Sequence, residues 1–514
     1  MTILDYHDRT KHSAASIRSN RHHLDWDNHP LPFKIYRGLE PIPLPREITG
    51  VEVPALAAVA SDGASPSTRW APDRWTLARL LYLSAGITRR KSYPGGQEMQ
   101  FRAAACTGAL YHIDLYLVNG ALPDLDPGVH HFAVHDFSLR RLRAGDHRAV
   151  LADATAGEAA VASAPAVLVL TSTFWRNAWK YQSRAYRHSF WDSGTILANL
   201  FAVASAMGAP ARLVTAFVDR QVNDLLGLDT VREVAIAIVA LGHRPDERPP
   251  SAPKIVRLDL PTEPLSASEI DYPAIRGAHQ ASSLDSSERV MAFRSAASVS
   301  SVPPFEKGGS GGISSASIPL RPLAGPPAIT LHRTIVRRGS ARRFARAPIS
   351  FEQLSTMLAA VSGKVPTDFL PPDAGVAERL NDVYLIVNAV DGLDSGKYVL
   401  GRAGKAIEPL GKGDFRRDAG FLDLGQELAA DASVNFYMLA DLRAVVERYG
   451  ERGYRAASLE AAILGGKLYL AAYALGLGAT GLTFFDDDVT AFFSPHAGGK
   501  GVMFLVAVGR QSKG

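Results

Sequence analysis

Tyr181-Gln182-Ser183-Arg184-Ala185-Tyr186-Arg187 returns as Tyr449-Gly450-Glu451-Arg452-Gly453-Tyr454-Arg455, with tyrosines and arginines at matching places and a step of 268 residues. The same step joins Asp114-Leu115-Tyr116-Leu117 to Asp382-Val383-Tyr384-Leu385, Asp126-Pro127-Gly128 to Asp394-Ser395-Gly396, Gly208 to Gly476, and Thr215 to Thr483. From Tyr181 to Phe217, 11 of 37 positions match their counterparts in Tyr449 to Phe485. Chance does not hold one register over about a hundred residues, and so long a period marks duplicated domains rather than a solenoid. Two copies of one domain are expected to pack as a fused homodimer about a pseudo-twofold axis.

The periodicity around these segments gives each copy mixed elements. Arg74 to Ala85 reads as a helix, and Asp114 to Val118 as a strand preceded by the loop Thr107-Gly108-Ala109-Leu110-Tyr111. Pro165 to Leu170 and Val234 to Leu241 read as buried strands. Trp191 to Met207 is apolar on most faces until Gly208 stops it, so this helix is central or at an interface. The expected fold is α+β, with two tandem domains, each an antiparallel-rich sheet with long buried helices. Residues 1–50, rich in Pro, His and Arg, read as an arm of short extended pieces. Domain 1 spans 51–277, a Ser/Gly-rich linker 278–325, most flexible at Lys307 to Gly312, and domain 2 spans 326–514.

Composition narrows the partners. With 46% hydrophobic and 21% charged residues, 514 residues suffice for two sizeable cores. A net charge of +5, scattered and without aromatic interleaving, argues against nucleic acid. Cys106 is the single cysteine, which excludes an internal disulfide and a cysteine-based metal cluster. His22-His23-Leu24-Asp25 lacks a second ligand cluster, so no metal is assigned. No basic region followed by an apolar run opens the chain and no stretch is long enough to cross a bilayer, so a cytoplasmic protein without a membrane partner is expected.

The chemistry-bearing stretch of the second half is Arg337-Arg338-Gly339-Ser340-Ala341-Arg342-Arg343-Phe344. Guanidinium groups at Arg338 and Arg342 with the Ser340 hydroxyl between them stand at alternate positions, so an extended backbone would aim all three at one oxyanion. The competing reading is a basic helix cap on a solvated face.

Arg338-x-Ser340-x-Arg342-x-Phe344 resembles the phosphate-binding signature of the flavin-dependent nitroreductase family, and Gly476 to Asp486 resembles its segment beside the flavin ring. The likeness is nearest to the SagB-type azoline dehydrogenase branch, the thiazole/oxazole-forming oxidases found with peptide-modifying cyclodehydratases. Thr107-Gly108-Ala109-Leu110-Tyr111 resembles that branch's loop, Lys180-Tyr181-x-x-Arg184-x-Tyr186-Arg187 its Lys-Tyr motif, and Tyr6-His7-x-Arg9-Thr10-Lys11-His12 the start of its two-domain members. Ala105-Cys106 stands where Pro-Ser is usual, and His112 where Pro is usual.

The resemblance implies FMN as cofactor, bound by Arg338, Ser340 and Arg342 at its phosphate, by backbone N–H groups around Thr483 and Phe484 at its ring, and by Cys106, Thr107, Gly108 and Ala109 in the covering loop. Lys180 and Tyr181 are the catalytic candidates, as proton acceptors whose pKa values would have to come down. The clamp survives in the second half alone. The loop survives in the first half alone, because the second has Asp373-Ala374-Gly375-Val376-Ala377-Glu378 there and the first has only Ser65 to Trp70 at the clamp position. One complete site, and one FMN per chain, is therefore expected. The substrate would be a small molecule or a peptide, within a peptide-modifying enzyme complex. The alternatives are a nitro or quinone reductase with NAD(P)H as electron donor, and a non-catalytic flavin-binding scaffold.

Overall fold

The computed structural model describes residues 1–49, 51–63, 65, 67–92, 98–247, 249–298, 317–371 and 378–512. Its fold is α+β, organised on two seven-stranded sheets. In the first, Pro41–Pro43, Ser138–Ala144, Gly128–Ala133, Ile113–Asn119, Ala166–Thr173, Glu233–Leu241 and Ala211–Val214 lie side by side in that order, all antiparallel. In the second, Ile318–Pro319, Ala406–Lys412, Gly396–Leu400, Asn381–Val387, Val434–Ala440, Gly501–Gly509 and Gly478–Gly481 repeat the arrangement. Ala166–Thr173 and Glu233–Leu241 are buried along their whole length, which is why they read as near-continuous apolar runs.

The duplication holds at the level of element ends. The helices Ala185–Ala206 and Gly453–Ala474, and Phe174–Tyr181 and Leu442–Tyr449, are 268 residues apart at both termini, as are Ile113–Asn119 and Asn381–Val387. The two long helices pack on each other through small residues at equivalent places. A Cβ on Gly194 would overlap the methyl of Ala462, its own counterpart, and a Cβ on Gly466 would come within 2.5 Å of the Ala198 Cβ, again its counterpart. Self-pairing of equivalent residues is what a twofold axis imposes on the elements that cross it.

The repeated Tyr-x-x-Arg-x-Tyr-Arg motif has a cross-domain role. Arg184 and Arg187 of the first half hold Asp486 of the second at 3.0 and 2.6 Å, while Arg452 and Arg455 of the second hold Asp219 of the first at 2.6 and 2.8 Å. Burial pushes the Asp219 carboxyl up, but the Arg452 and Arg455 charges outweigh it and hold it at about 2. Asp486 is displaced in the same direction, with Arg184 and Arg187 overcoming burial.

Two expectations are corrected. The arm is not merely extended, because Ile3–Arg9 is a capped helix with Ile3 and Tyr6 fully buried. The Tyr6 hydroxyl donates to the Ser183 carbonyl at 2.7 Å, and Arg187 and Arg184 donate to the carbonyls of His7 and Thr10. The arm thus caps the arginine network, and a helix of 7 residues holds too little periodicity to reveal it. The expected linker is helical over Pro273–Ala281 and Ser287–Ser298, with Ala278, Val290, Phe293 and Ala297 buried. Ser/Ala composition there reflects small packed residues rather than a flexible tether. Lys307 to Gly312 lie outside the described residues.

Candidate functional site

The loop that follows strand Glu98–Arg102 is a tight turn over Thr107–Ala109, with Gly108, Ala109 and Tyr111 at φ 65°, 54° and 49°. A side chain at Gly108 would meet the Tyr181 hydroxyl at 2.9 Å, so the close approach of Tyr181 requires glycine. Asp192, on the long helix of the first half, pins the turn. Its Oδ1 accepts the Thr107 N–H and hydroxyl at 2.9 and 2.8 Å, and its Oδ2 accepts the Cys106 thiol at 3.0 Å. Burial and the Asp192 charge push the Cys106 thiol well up, so it is a neutral donor rather than a nucleophile. Asp192 lay beyond sequence reasoning because nothing links it to the loop except the fold.

The clamp is arranged differently from the expectation. Arg338 leaves the helix Leu331–Arg337 with extended backbone and is buried across the domain interface. Its Nε donates to the Ala103 carbonyl at 2.8 Å and its Nη2 to the Arg102 carbonyl at 3.0 Å, tying the clamp to the root of the first-half loop. Asn199 donates to the same Ala103 carbonyl at 3.2 Å. Ser340 and Arg342, by contrast, are exposed. The Ser340 hydroxyl faces Tyr469, whose phenol oxygen accepts the Gly481 N–H. A Cβ on Gly339 would sit 3.6 Å from the Tyr473 hydroxyl and 3.7 Å from Arg89 Nη1. Arg89, on the first-half strand Ile87–Ser92, thus supplies a guanidinium beside Gly339 from a stretch that carries no motif.

Beyond strand Gly478–Gly481, Phe484 is fully buried, with its ring 5.8 Å from that of Trp191 and under the Arg184 guanidinium. Thr483, half-buried, has its Oγ1 enclosed and without a hydrogen-bond partner among the described residues. Such an atom costs about 1–3 kcal/mol unless a ligand or water satisfies it.

The equivalent position in the other cleft is filled. Thr215, the counterpart of Thr483, gives its N–H and its hydroxyl to Asp368 at 2.9 Å each, and Ala216, the counterpart of Phe484, gives its N–H at 2.7 Å. Asp368 belongs to a second-half segment that runs along strand Ala211–Val214, with Leu213 and Thr367 bridged and Leu213 N–H on the Pro366 carbonyl at 2.8 Å. Tyr449, the counterpart of Tyr181, is likewise engaged, donating to the Phe369 carbonyl at 2.9 Å. The second-half loop expected at Asp373 to Ala377 lies outside the described residues.

Lys180 and Tyr181 end the helix Phe174–Tyr181 on the loop side. Lys180 is exposed, with its ammonium 5.4 Å from the Tyr181 ring centroid. Tyr181 stacks edge-on against His188 at 4.6 Å. Burial, reinforced by Asp192 and Cys106, raises its phenol above the usual tyrosine range, the reverse of the lowering that a free base needs. Among the described residues, no helix is long and apolar enough to cross a membrane.

The family model for the nitroreductases matches residues 102–243 and 335–510, one match in each half. A crystal structure of a protein from Anabaena variabilis that is named a nitroreductase superposes with a TM-score of 0.76 at 26% identity, covering 99% of both chains. The tandem arrangement is therefore shared with that protein over its whole length. A Methanocaldococcus jannaschii protein, also named a nitroreductase, is 22% identical over 168 residues, covering 33% of this chain and 79% of its own. With both halves matched and the element order repeated in each, the chain belongs to the nitroreductase family.

Proposed function

We propose that the protein is an FMN-dependent oxidoreductase that dehydrogenates azoline-type heterocycles in peptide or small-molecule substrates, with one FMN in the cleft between clamp and loop. The observation that carries the cofactor reading is the difference between two equivalent threonines. Thr215 is saturated by Asp368, whereas the buried Thr483 Oγ1 is left for an acceptor from outside the chain. A flavin, with ring acceptors and a phosphate, matches that donor set. Arg338, Arg89, Ser340 and Arg342 would hold the phosphate, the Thr483 and Phe484 stretch and Trp191 the ring edge, and Cys106, Thr107, Gly108 and Ala109 would cover it. When bound, FMN supplies two-electron redox chemistry, while the protein binds, orients and moves protons.

The assignment to azoline oxidation rests on Lys180-Tyr181-x-x-Arg184-x-Tyr186-Arg187 and on the loop, which resemble that branch. Tyr181, held protonated against Gly108, serves as a proton relay at the cleft, and the exposed Lys180 exchanges protons with solvent. A peptide-modifying partner enzyme follows from the same resemblance.

The test is anaerobic reduction of the yellow protein. An azoline-containing peptide should bleach it and emerge as the azole, two mass units lighter. Rapid bleaching by NADPH with no oxidation of any azoline peptide would favour the nitro or quinone reductase reading instead.

A further inference from the structure

Dehydrogenation leaves a proton to be placed, and the protonated Tyr181 phenol can relay that proton but not hold it. At the loop, Asp192 Oδ2 also lies 3.0 Å from His112 Nε2. His112 Nδ1 lies 3.0 Å from Ser172 Oγ, which is 2.9 Å from Ser189 Oγ. A continuous row of exchangeable protons therefore runs from the partly exposed Thr107 through Asp192 into the core.

The second half has dismantled this row. At the positions 268 residues on, His112, Ser172 and Ser189 become Leu380, Ala440 and Ala457, and Asp192 becomes Glu460, which accepts from Asn381 and the Leu380 backbone. Shaping a turn needs the Asp192 carboxylate alone. Three further polar side chains buried behind it carry a desolvation cost that the duplicate, whose sequence has no Thr-Gly-Ala-Leu-Tyr run, does not bear.

We propose that Asp192, reached through the Thr107 hydroxyl and backed by His112, Ser172 and Ser189, holds the proton that leaves the substrate. This rests on the redox function proposed above. The hydrogen on the carbon beside the heteroatom would leave with its electron pair, as a hydride equivalent, to the two-electron oxidant that bound FMN would supply. The second hydrogen leaves as a proton to Thr107 Oγ while the Thr107 hydroxyl proton passes to Asp192 Oδ1, and the ring double bond forms. Asp192 is thus a positioning and proton-holding residue that acts through Thr107. The titratable groups facing it are Cys106 and Tyr181 on the loop side, His112 behind, His188 one turn earlier on the same helix, and Arg102 beyond Cys106.

Two measurements on the full chain test this. The first needs no flavin, because Cys106 is the single cysteine and reports on Asp192 directly. Iodoacetamide alkylation followed by intact mass at pH 8 should be at least about tenfold faster in Asp192→Asn than in wild type, because the thiol loses a neighbouring negative charge. An unchanged rate overturns the connection. The second is the pH dependence of the flavin midpoint potential. Wild type should take up one proton more per electron pair than Asp192→Asn, whereas Thr107→Val, at a partly exposed position, should keep that equilibrium uptake and slow turnover by at least about tenfold. Parallel potential–pH lines for wild type and Asp192→Asn overturn the proton-holding role, and unchanged turnover in Thr107→Val overturns the relay. Protein that carries no flavin would instead remove the redox reading, leaving the alkylation result to stand alone.

Discussion

The Asp368 carboxylate receives the N–H and the hydroxyl of Thr215 at 2.9 Å across the domain interface, in the cleft equivalent to the one where Thr483 Oγ1 has no partner among the described residues. Within the duplicated frame, the chain has supplied its own anion to one copy of a donor set and left the other open. Asp368→Ala should destabilise the fold by about 2–4 kcal/mol, since Thr215 and Ala216 would leave three buried donors unpaired. Urea denaturation checks this, and the flavin content of the folded variant should equal that of wild type.

Arg338→Ala should lose flavin and stability together. Its guanidinium is both the buried cation of the clamp and the tie to the Arg102 and Ala103 carbonyls. Removing a charged hydrogen-bonding partner costs about 1.5–3 kcal/mol, or about ten- to a hundredfold in flavin affinity. Ser340→Ala and Arg89→Ala, at exposed positions, should weaken flavin binding with little change in melting temperature. Full flavin occupancy in all three variants would return the stretch to a basic helix cap.

Tyr181→Phe should keep the flavin and lower turnover by about 10²-fold or more, the usual scale of a positioned proton-transfer group. Lys180→Ala, at an exposed position, should have a smaller effect. Unchanged steady-state rates in both would leave the pair as an ordinary helix end.

The repeat made the two domains, their sheets and their paired helices legible, because apolar strands and a 22-residue apolar helix survive duplication with little change. The loop and the clamp were legible as local motifs. Asp192, Arg89 and Asp368 were not, since each acts on residues that are distant in sequence and has no flanking pattern of its own. Arg184 and Arg187 were visible as a motif, but their work on Asp486 depends on a helix start 299 or more residues away.

The cross-domain arginine pairs give the fold an acid limit. Asp219 and Asp486 have lower pKa values folded than unfolded, where about 3.9 applies, so the native state binds fewer protons. Their stabilisation is complete above about pH 4 and fades as pH falls through the folded values, about 2 for Asp219. The Asp219 share amounts to roughly 2–3 kcal/mol. Melting temperature should drop steeply between about pH 4 and 2, and Asp219→Asn, less stable at neutral pH, should show a shallower acid limb.

The central claim is that two duplicated domains build one redox site, and the ratio of flavin to chain tests it most directly. Flavin released by denaturing the purified protein, saturated with FMN and freed of excess, should amount to about one per chain and be identified as FMN by mass. Asp368 and the segment beside it already occupy the donors of the second cleft, so excess FMN should not raise the ratio. A ratio near two would contradict the division of labour between the halves, and a ratio of zero after saturation would contradict the cofactor itself.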